Sequence, residues 1–308
     1  MDNRPDSDAE PGRAVTLAPG LRRVLAPNPS PMTFRGTNTY ILGEDAVAVI
    51  DPGPESEAHL AALLAAIGDA GRISHILVTH AHLDHSPLAR RLARLSGAPV
   101  LAFGAAEDGR SARMAALAAS GHAGGGEGVD TAFRPDCRLS DGDRIEGAGW
   151  VLEAIHTPGH FAGHLSFLWG DRVFSGDHVM GWASSLVSPP DGDMGAYMRS
   201  LDRLAALAPA RLFPGHGDPV EAPAERIAFL AAHRRDRESA ILDALTLGPA
   251  DAATLARAIY AETPPPLLPA AARNVFAHLL DLDDRGLVAD ASRHPDTSPA
   301  FTARFKRL

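Results

Sequence analysis

Short apolar runs recur along the first two thirds of this chain, and the residue closing each run is often a histidine or an aspartate. Residues 46–50 stop at Asp51-Pro52-Gly53, and residues 76–79 stop at His80. Residues 151–155 lead into His156-Thr157-Pro158-Gly159-His160. Residues 172–175 stop at Gly176-Asp177, and residues 211–213 stop at Pro214-Gly215-His216. Brief apolar runs bounded by glycine and proline predict buried strands. Leucines at helical spacing fill the gaps. Leu60, Leu63, Leu64 and Ile67 predict a helix capped by Ser56 and stopped at Gly68. Leu88, Leu92 and Leu95 predict another, with Ser86 as its cap, Pro87 in its first turn and Gly97 beyond its end. Arg90, Arg91 and Arg94 fall on its solvated face. Asp193 caps a third, whose inward stripe of Met194, Tyr197, Leu201 and Leu204 makes Tyr197 a core residue.

Strands and helices intermix over residues 15–223, which predicts one α/β domain. From about Ala224 the pattern becomes helical. One helix runs through residues 226–230 toward Leu247, a second covers 252–260, and a third covers 269–285 after the break at Pro264-Pro265-Pro266. Leu287-Val288-Ala289 would start a small β wing, so residues 224–308 read as a second, mostly helical domain. Residues 1–14 are acidic, contain proline and glycine and lack an apolar core, and read as a disordered tail. Residues 121–128 are glycine-rich and read as a mobile loop.

The run Thr79-His80-Ala81-His82-Leu83-Asp84-His85 concentrates three imidazoles and a carboxylate. Histidines two apart point opposite ways on a strand and diverge on a helix, so both reach one ion only from a turn. Imidazole nitrogen and carboxylate oxygen are the donors that zinc and similar divalent ions take. Donors at the carboxyl ends of neighbouring strands converge on one crevice. Clustering them without a cation would be costly, because each desolvated charge needs compensation.

Composition narrows the class. With 308 residues, 45% hydrophobic and 22% charged, the chain can bury a large core, and no apolar stretch is long enough to span a bilayer. Cys137 is the single cysteine, so no intrachain disulfide is available; a reducing cytoplasm is the expected location. A net charge of −9 argues against broad attraction to nucleic acid.

Taken in order, His80-x-His82-x-Asp84-His85, His160, Asp177 and Pro214-Gly215-His216 resemble the successive motifs of the metallo-β-lactamase-fold hydrolases, with Asp51 matching the motif that precedes them. Gly36-Thr37-Asn38-Thr39-Tyr40 and the segment Ser175-Gly176-Asp177-His178 to Trp182 narrow the resemblance to the group containing beta-lactamase-like protein 2, an endoribonuclease for single-stranded RNA, on the glyoxalase II side of the superfamily. The resemblance implies an αββα sandwich followed by a small winged-helix-like domain. It implies two divalent ions, zinc first among them with iron or manganese as alternatives. His80, His82 and His160 would hold the first ion, and Asp84, His85 and His216 the second. Asp177 would bridge both, and Asp51 would orient a ligand histidine. His156, His164 and Thr79 read as support or core. One departure is Phe161, where the family often has threonine. The absence of a cysteine ligand separates the chain from the exported antibiotic-cleaving enzymes, and His82 stands where the oxygen-reducing diiron relatives carry glutamate.

The expected activity is metal-dependent hydrolysis of an ester, thioester or phosphodiester by a hydroxide held between the ions, with Asp84 and Asp177 as catalytic carboxylates. Single-stranded RNA is a substrate by resemblance only, and a hydroxyacylglutathione-type thioesterase is the nearest alternative. Asp84 or a second water is the candidate proton donor to the leaving group. A regulator that binds DNA through its C-terminal domain is the rival from another class. From Glu225 onward, however, basic and acidic residues balance at eleven each, and the presumed recognition helix ends in Asp281, Asp283 and Asp284. That favours a packing or pocket-forming role for the domain, or a contact in a homodimer, over specific DNA binding.

Overall fold

Two sheets pack face to face, and the computed structural model describes residues 10–69, 71–126, 128–291 and 298–308. The first sheet runs in sequence order: β1 (Ala14–Ala18), β2 (Leu21–Leu25), β3 (Asn38–Leu42), β4 (Ala46–Ile50), β5 (Arg72–Leu77), β6 (Val100–Ala102) and β7 (Cys137–Arg138). Its first four strands are antiparallel, and β4 to β7 are parallel. The second sheet holds β8 (Arg144–Gly147), β9 (Trp150–His156), β10 (Leu165–Trp169), β11 (Arg172–Gly176) and β12 (Arg211–Pro214), with β11 and β12 parallel.

Every residue of β3 and β4 is buried. A sheet covered on both faces needs such unbroken apolar strands. Between the sheets lie Tyr40, Leu42, Ile50, Leu77, Leu152, Phe167, Phe174 and Phe213. Helices α1 (Glu57–Ile67) and α2 (Pro87–Ser96) cover the outer face of the first sheet. Helix α3 (Ala112–Ser120) follows β6. Helices α4 (Met194–Ala206) and α5 (Pro223–Ala244) cover the second sheet. The layers are therefore αββα.

Local signals set most helix ends. Ser56 Oγ accepts the His59 N–H, Gly68 ends α1 at φ 75°, and Asp193 caps α4 through the Ala196 N–H. Two details differ from the periodic reading. Leu64 and Leu95 are 43% and 60% exposed, because the buried stripe of each helix is narrower than its leucine pattern. Ser86 does not cap α2; its hydroxyl bonds the His82 carbonyl and Asp130, tying the helix to the histidine turn. Residues 1–9 of the expected tail lie outside the described residues. Its last residue, Ala14, opens β1, and the Gly12 N–H bonds the Leu25 carbonyl.

The C-terminal part contains α6 (Ala252–Ile259), α7 (Leu268–Asp284) and a two-stranded wing, β13 (Val288–Asp290) with β14 (Phe305–Arg307). Its core is not self-contained. Met114 and Leu117 of α3, together with Ala123, join Leu255, Phe276, Leu279 and Phe305 in one cluster, and Arg113 of α3 pairs with Asp283 at 2.7 Å and with Asp284. Ala277 of α7 packs with the α4–α5 layer. No helix among the described residues is long and apolar enough to cross a membrane.

Leu117→Ala should therefore destabilise the C-terminal part, although Leu117 lies in the first domain and far ahead of α6 in the chain. A loss of about 2–5 kcal/mol in urea unfolding is expected for a buried leucine. An unchanged midpoint would show that α3 does not share that core.

Candidate metal centre

The chain leaves β5 and reverses at once. The His82 N–H bonds the His80 carbonyl, and the N–H groups of His85 and Ser86 both bond the His82 carbonyl. This turn brings His80, His82 and His85 to one side, as neither a strand nor a helix would. His160 arrives from the loop after β9, Asp177 from the end of β11, and His216 from the turn after β12. All seven expected donors lie in one cluster, within which three triplets have donor atoms inside 4.8 Å of one another: His80, His82 and His160; His80, His85 and Asp177; and Asp84, His85 and His216.

The outer nitrogens of four of these histidines are committed. His85 Nδ1 lies 3.0 Å from Asp51 Oδ2, and His80 Nδ1 lies 2.9 Å from Thr79 Oγ1, whose proton goes to Asp51 Oδ2 at 2.8 Å. His160 Nδ1 donates to the Leu186 carbonyl at 2.6 Å, and His216 Nδ1 to the Gly36 carbonyl at 3.1 Å. A proton held at Nδ1 leaves the Nε2 lone pair facing inward. His82 presents Nδ1 instead, 2.9 Å from His80 Nε2 and 3.2 Å from His160 Nε2, and the Nε2 atoms of His85 and His216 are 3.3 Å apart. With their Nδ1 protons turned outward, the Nε2 atoms of His80 and His160 can only accept toward His82 Nδ1, which has at most one proton to give. His85 and His216 bring their Nε2 atoms together beside Asp84 and Asp177. Asp177 Oδ1 is buried and makes no hydrogen bond. These donors fit divalent cations.

The two halves of the cluster differ electrostatically. Burial, reinforced by neighbouring imidazoles, holds His80 well below the ordinary histidine range and His82 at about 3, so both are neutral donors. Burial also opposes charge on His85 and His216. There, however, the carboxylates win: Asp84, Asp177 and Asp51 hold His85 well above its ordinary value, and Asp177 and Asp84 hold His216 at about 9. Asp84 and Asp177 are correspondingly pushed far down despite their burial. The second half is thus built for positive charge.

Backbone constraints surround the cluster. Asp51 sits at φ 50°, a left-handed conformation costly outside glycine, and takes the Thr79 N–H at 2.7 Å. A side chain at Gly215 would put its Cβ 2.4 Å from Asp177 Oδ1, so only glycine lets the β12 turn approach. Asn38, in the Gly36-Thr37-Asn38 motif, ties the same turn down by donating to the carbonyls of Pro214 and Gly217 at 2.9 and 2.8 Å. His156 stays outside the cluster, stacked on Phe103 with Nε2 bonded to the Ala162 carbonyl, and His164 is bonded to Thr157.

A strap at residues 185–188 escapes any reading of the sequence. Ser185 Oγ donates to the carbonyls of Asp177 and His178, and the Leu186 carbonyl orients His160. The strap is gripped from the C-terminal helices. Arg234 of α5, fully buried over the Tyr197 ring, bonds the Ser185 carbonyl. Asn274 of α7 accepts the Val187 N–H at 2.9 Å, and Arg273 donates to Ser188 Oγ at 2.9 Å. The orienting groups include backbone carbonyls, which leave no residue-type signature. An arginine in a helix carries no sign of its destination.

Residues 32–216 match the metallo-beta-lactamase superfamily, and residues 252–296 match the beta-lactamase associated winged helix domain. The chain is 32% identical over 288 residues to a beta-lactamase-like protein 2 homolog of Drosophila melanogaster, covering 89% of this chain and 91% of that one. It is 30% identical over 236 residues to an Aspergillus fumigatus protein named atrochrysone carboxyl ACP thioesterase, covering 74% of this chain and 66% of that one. The crystal structure of a metallo-beta-lactamase family protein from Thermus thermophilus superposes with a TM-score of 0.75 at 27% identity, covering 95% of this chain and 100% of that one.

Arg234→Met should loosen the strap and weaken cation binding about 10–100-fold, as outer-shell substitutions do. Titration with zinc against a chelating dye measures this. His160→Ala should lose far more affinity than His156→Ala; the opposite ranking would place the wrong histidine at the centre.

Proposed function

Because the chain belongs to the metallo-beta-lactamase superfamily, whose members are hydrolases, we propose that it is a two-cation hydrolase acting on carboxylic thioesters and esters. The observation that carries this reading is the gathering of five imidazoles and two carboxylates into overlapping triplets whose donor atoms lie within 4.8 Å of one another. His80, His82 and His160 would hold one cation; Asp84, His85 and His216 would hold the other; Asp177 would lie between them. Divalent cations held there, zinc first and iron or manganese as alternatives, supply hydroxide near neutral pH and polarise the substrate carbonyl.

The remaining chemistry belongs to the chain. Asp51 fixes His85 directly and His80 through Thr79, so neither imidazole rotates as charge develops. Asp84 is the most exposed carboxylate of the cluster, at 26%, and its Oδ2 lies 3.1 Å from His216 Nε2. We assign it the proton of the attacking water. A thiol departs as its anion, since its pKa of about 8.5 makes prior protonation unnecessary. A thioester therefore suits a site whose carboxylates stay ionised and hold no proton to give a leaving group.

Both the name of the Aspergillus fumigatus relative and the character of the cavities favour acyl chemistry. A single RNA strand wants a basic groove interleaved with exposed aromatic rings. The larger cavity beside this cluster is walled mainly by alanine, glycine, proline and leucine. The smaller places Asp84 and Asp177 beside its two aromatic rings, Trp182 and Tyr260, with no arginine or lysine. Helix α7, which would read DNA in a winged helix, has nine buried residues and is spent on packing.

Parallel assays with acyl thioesters, carboxylic esters and a single-stranded oligoribonucleotide test this reading, together with elemental analysis. About two metal equivalents and thioester turnover are expected. Asp84→Asn should lower kcat by about 100-fold or more, and the metal content of the variant separates loss of the proton acceptor from loss of the second cation. Turnover confined to the oligoribonucleotide would reject the reading.

A further inference from the structure

Two cavities meet over the cluster. The larger, about 970 Å³, runs between the glycine-rich segment and α6–α7, past Gly125, Ala253, Ala256, Leu268 and Phe301. The smaller, about 750 Å³, runs the other way past Met32, Trp182, Tyr260, Thr263 and Asn274. His82, His160, Leu186 and Ala270 belong to the walls of both. Asp84, Asp177 and His216 line the smaller cavity alone, so the reacting atoms sit in the smaller arm where the larger one opens onto His82 and His160. A molecule that fills the site is cleaved near its middle.

Both arms are mainly apolar, and they differ in volume and in where their polar groups point. In the larger, Arg273 is turned onto Ser188 Oγ and the carbonyls of Ala123 and Pro189, and Asp191 is paired with Arg110 at 2.6 Å. Polar groups so engaged leave an apolar lining to face a ligand. Arg257, exposed on α6, and His122 lie at its wall as well. The smaller arm carries the hydroxyls of Ser184, Tyr260 and Thr263 and the amide of Asn274. A single-ended substrate such as a short ester would leave either arm empty.

We propose that the larger cavity is an acyl-chain site, so that the substrate is a long-chain acyl thioester whose polar thiol portion occupies the smaller cavity. This rests on the hydrolase reading above and adds the substrate class. Hydrolysis forms a C–O bond from water and breaks the C–S bond, giving a carboxylate and a thiol with no change in oxidation state. The winged-helix part is then a substrate wall: α6 and α7 supply one side of the acyl site and Tyr260, Thr263 and Asn274 one side of the thiol site.

The test uses the metal-loaded full chain and two readouts. With acyl-coenzyme A thioesters from two to sixteen carbons, kcat/KM should rise about 100-fold or more from butyryl to dodecanoyl, carried mainly by KM. That corresponds to about 2.7 kcal/mol at 1.36 kcal/mol per tenfold. Ala253→Phe, which fills the larger cavity from half-exposed α6 without touching the cluster, should cut the dodecanoyl-to-butyryl ratio of kcat/KM at least tenfold. In the second readout, dodecanoate should displace an apolar fluorescent probe from the wild type and do so at least tenfold less well from Ala253→Phe, with circular dichroism reporting that the variant is folded. A flat chain-length profile among thioesters that are turned over, or dodecanoate binding indifferent to the substitution, would overturn the acyl site. If no thioester of any length reacts while a carboxylic ester does, the thioester class is overturned and the hydrolase reading stands. If neither reacts, the hydrolase reading fails, and dodecanoate binding sensitive to Ala253→Phe would still support the cavity assignment.

Discussion

The molecule is organised around a crowding of cation-type donors. Imidazole nitrogens stand 2.9–3.3 Å apart in a buried cluster, beside carboxylates that burial alone would neutralise. Such an arrangement persists only if its rings are held from behind, and the fold supplies those holds for four of the five. Asp51 braces two rings, the Gly36 carbonyl a third, and the Leu186 carbonyl a fourth. The strained φ of Asp51 and the side-chain-free approach of Gly215 are what this close gathering demands of the backbone.

That requirement gives the C-terminal part a place in the site. Arg234, Arg273 and Asn274 grip a strap whose other face orients His160 and the Asp177 carbonyl. Helix α3, from the middle of the first domain, buries Met114 and Leu117 in the C-terminal core. The two parts thus share hydrophobic surface and hydrogen bonds, and the cavities lie where they join. A helix that might have read a groove of DNA is instead packed inward, and its terminal acids are taken up by Arg113 and Arg285.

The strand ends, the caps at Ser56 and Asp193, and the order of the donors are legible in the chain because each is a local matter. An apolar run closing on a histidine needs no knowledge of its neighbours. The stripes through Leu64 and Leu95 overstate burial, since periodicity marks the apolar face but not how far the neighbouring layer covers it. Ser86 has the look of a cap because nothing local shows that Asp130 and the His82 carbonyl compete for its hydroxyl.

By itself, then, the sequence determined which residues could bind cations and that an α/β domain would carry them, because residue type and periodicity are properties of single segments. The αββα layering was implied by the resemblance of its motifs. Tertiary structure alone decided which nitrogen of each imidazole faces inward, how α3 joins a core encoded far downstream, and that two cavities open from one junction. Those depend on backbone carbonyls and on surfaces brought together from distant segments. A carbonyl oxygen is the same in every residue, so the chain carries no mark of where it will be used.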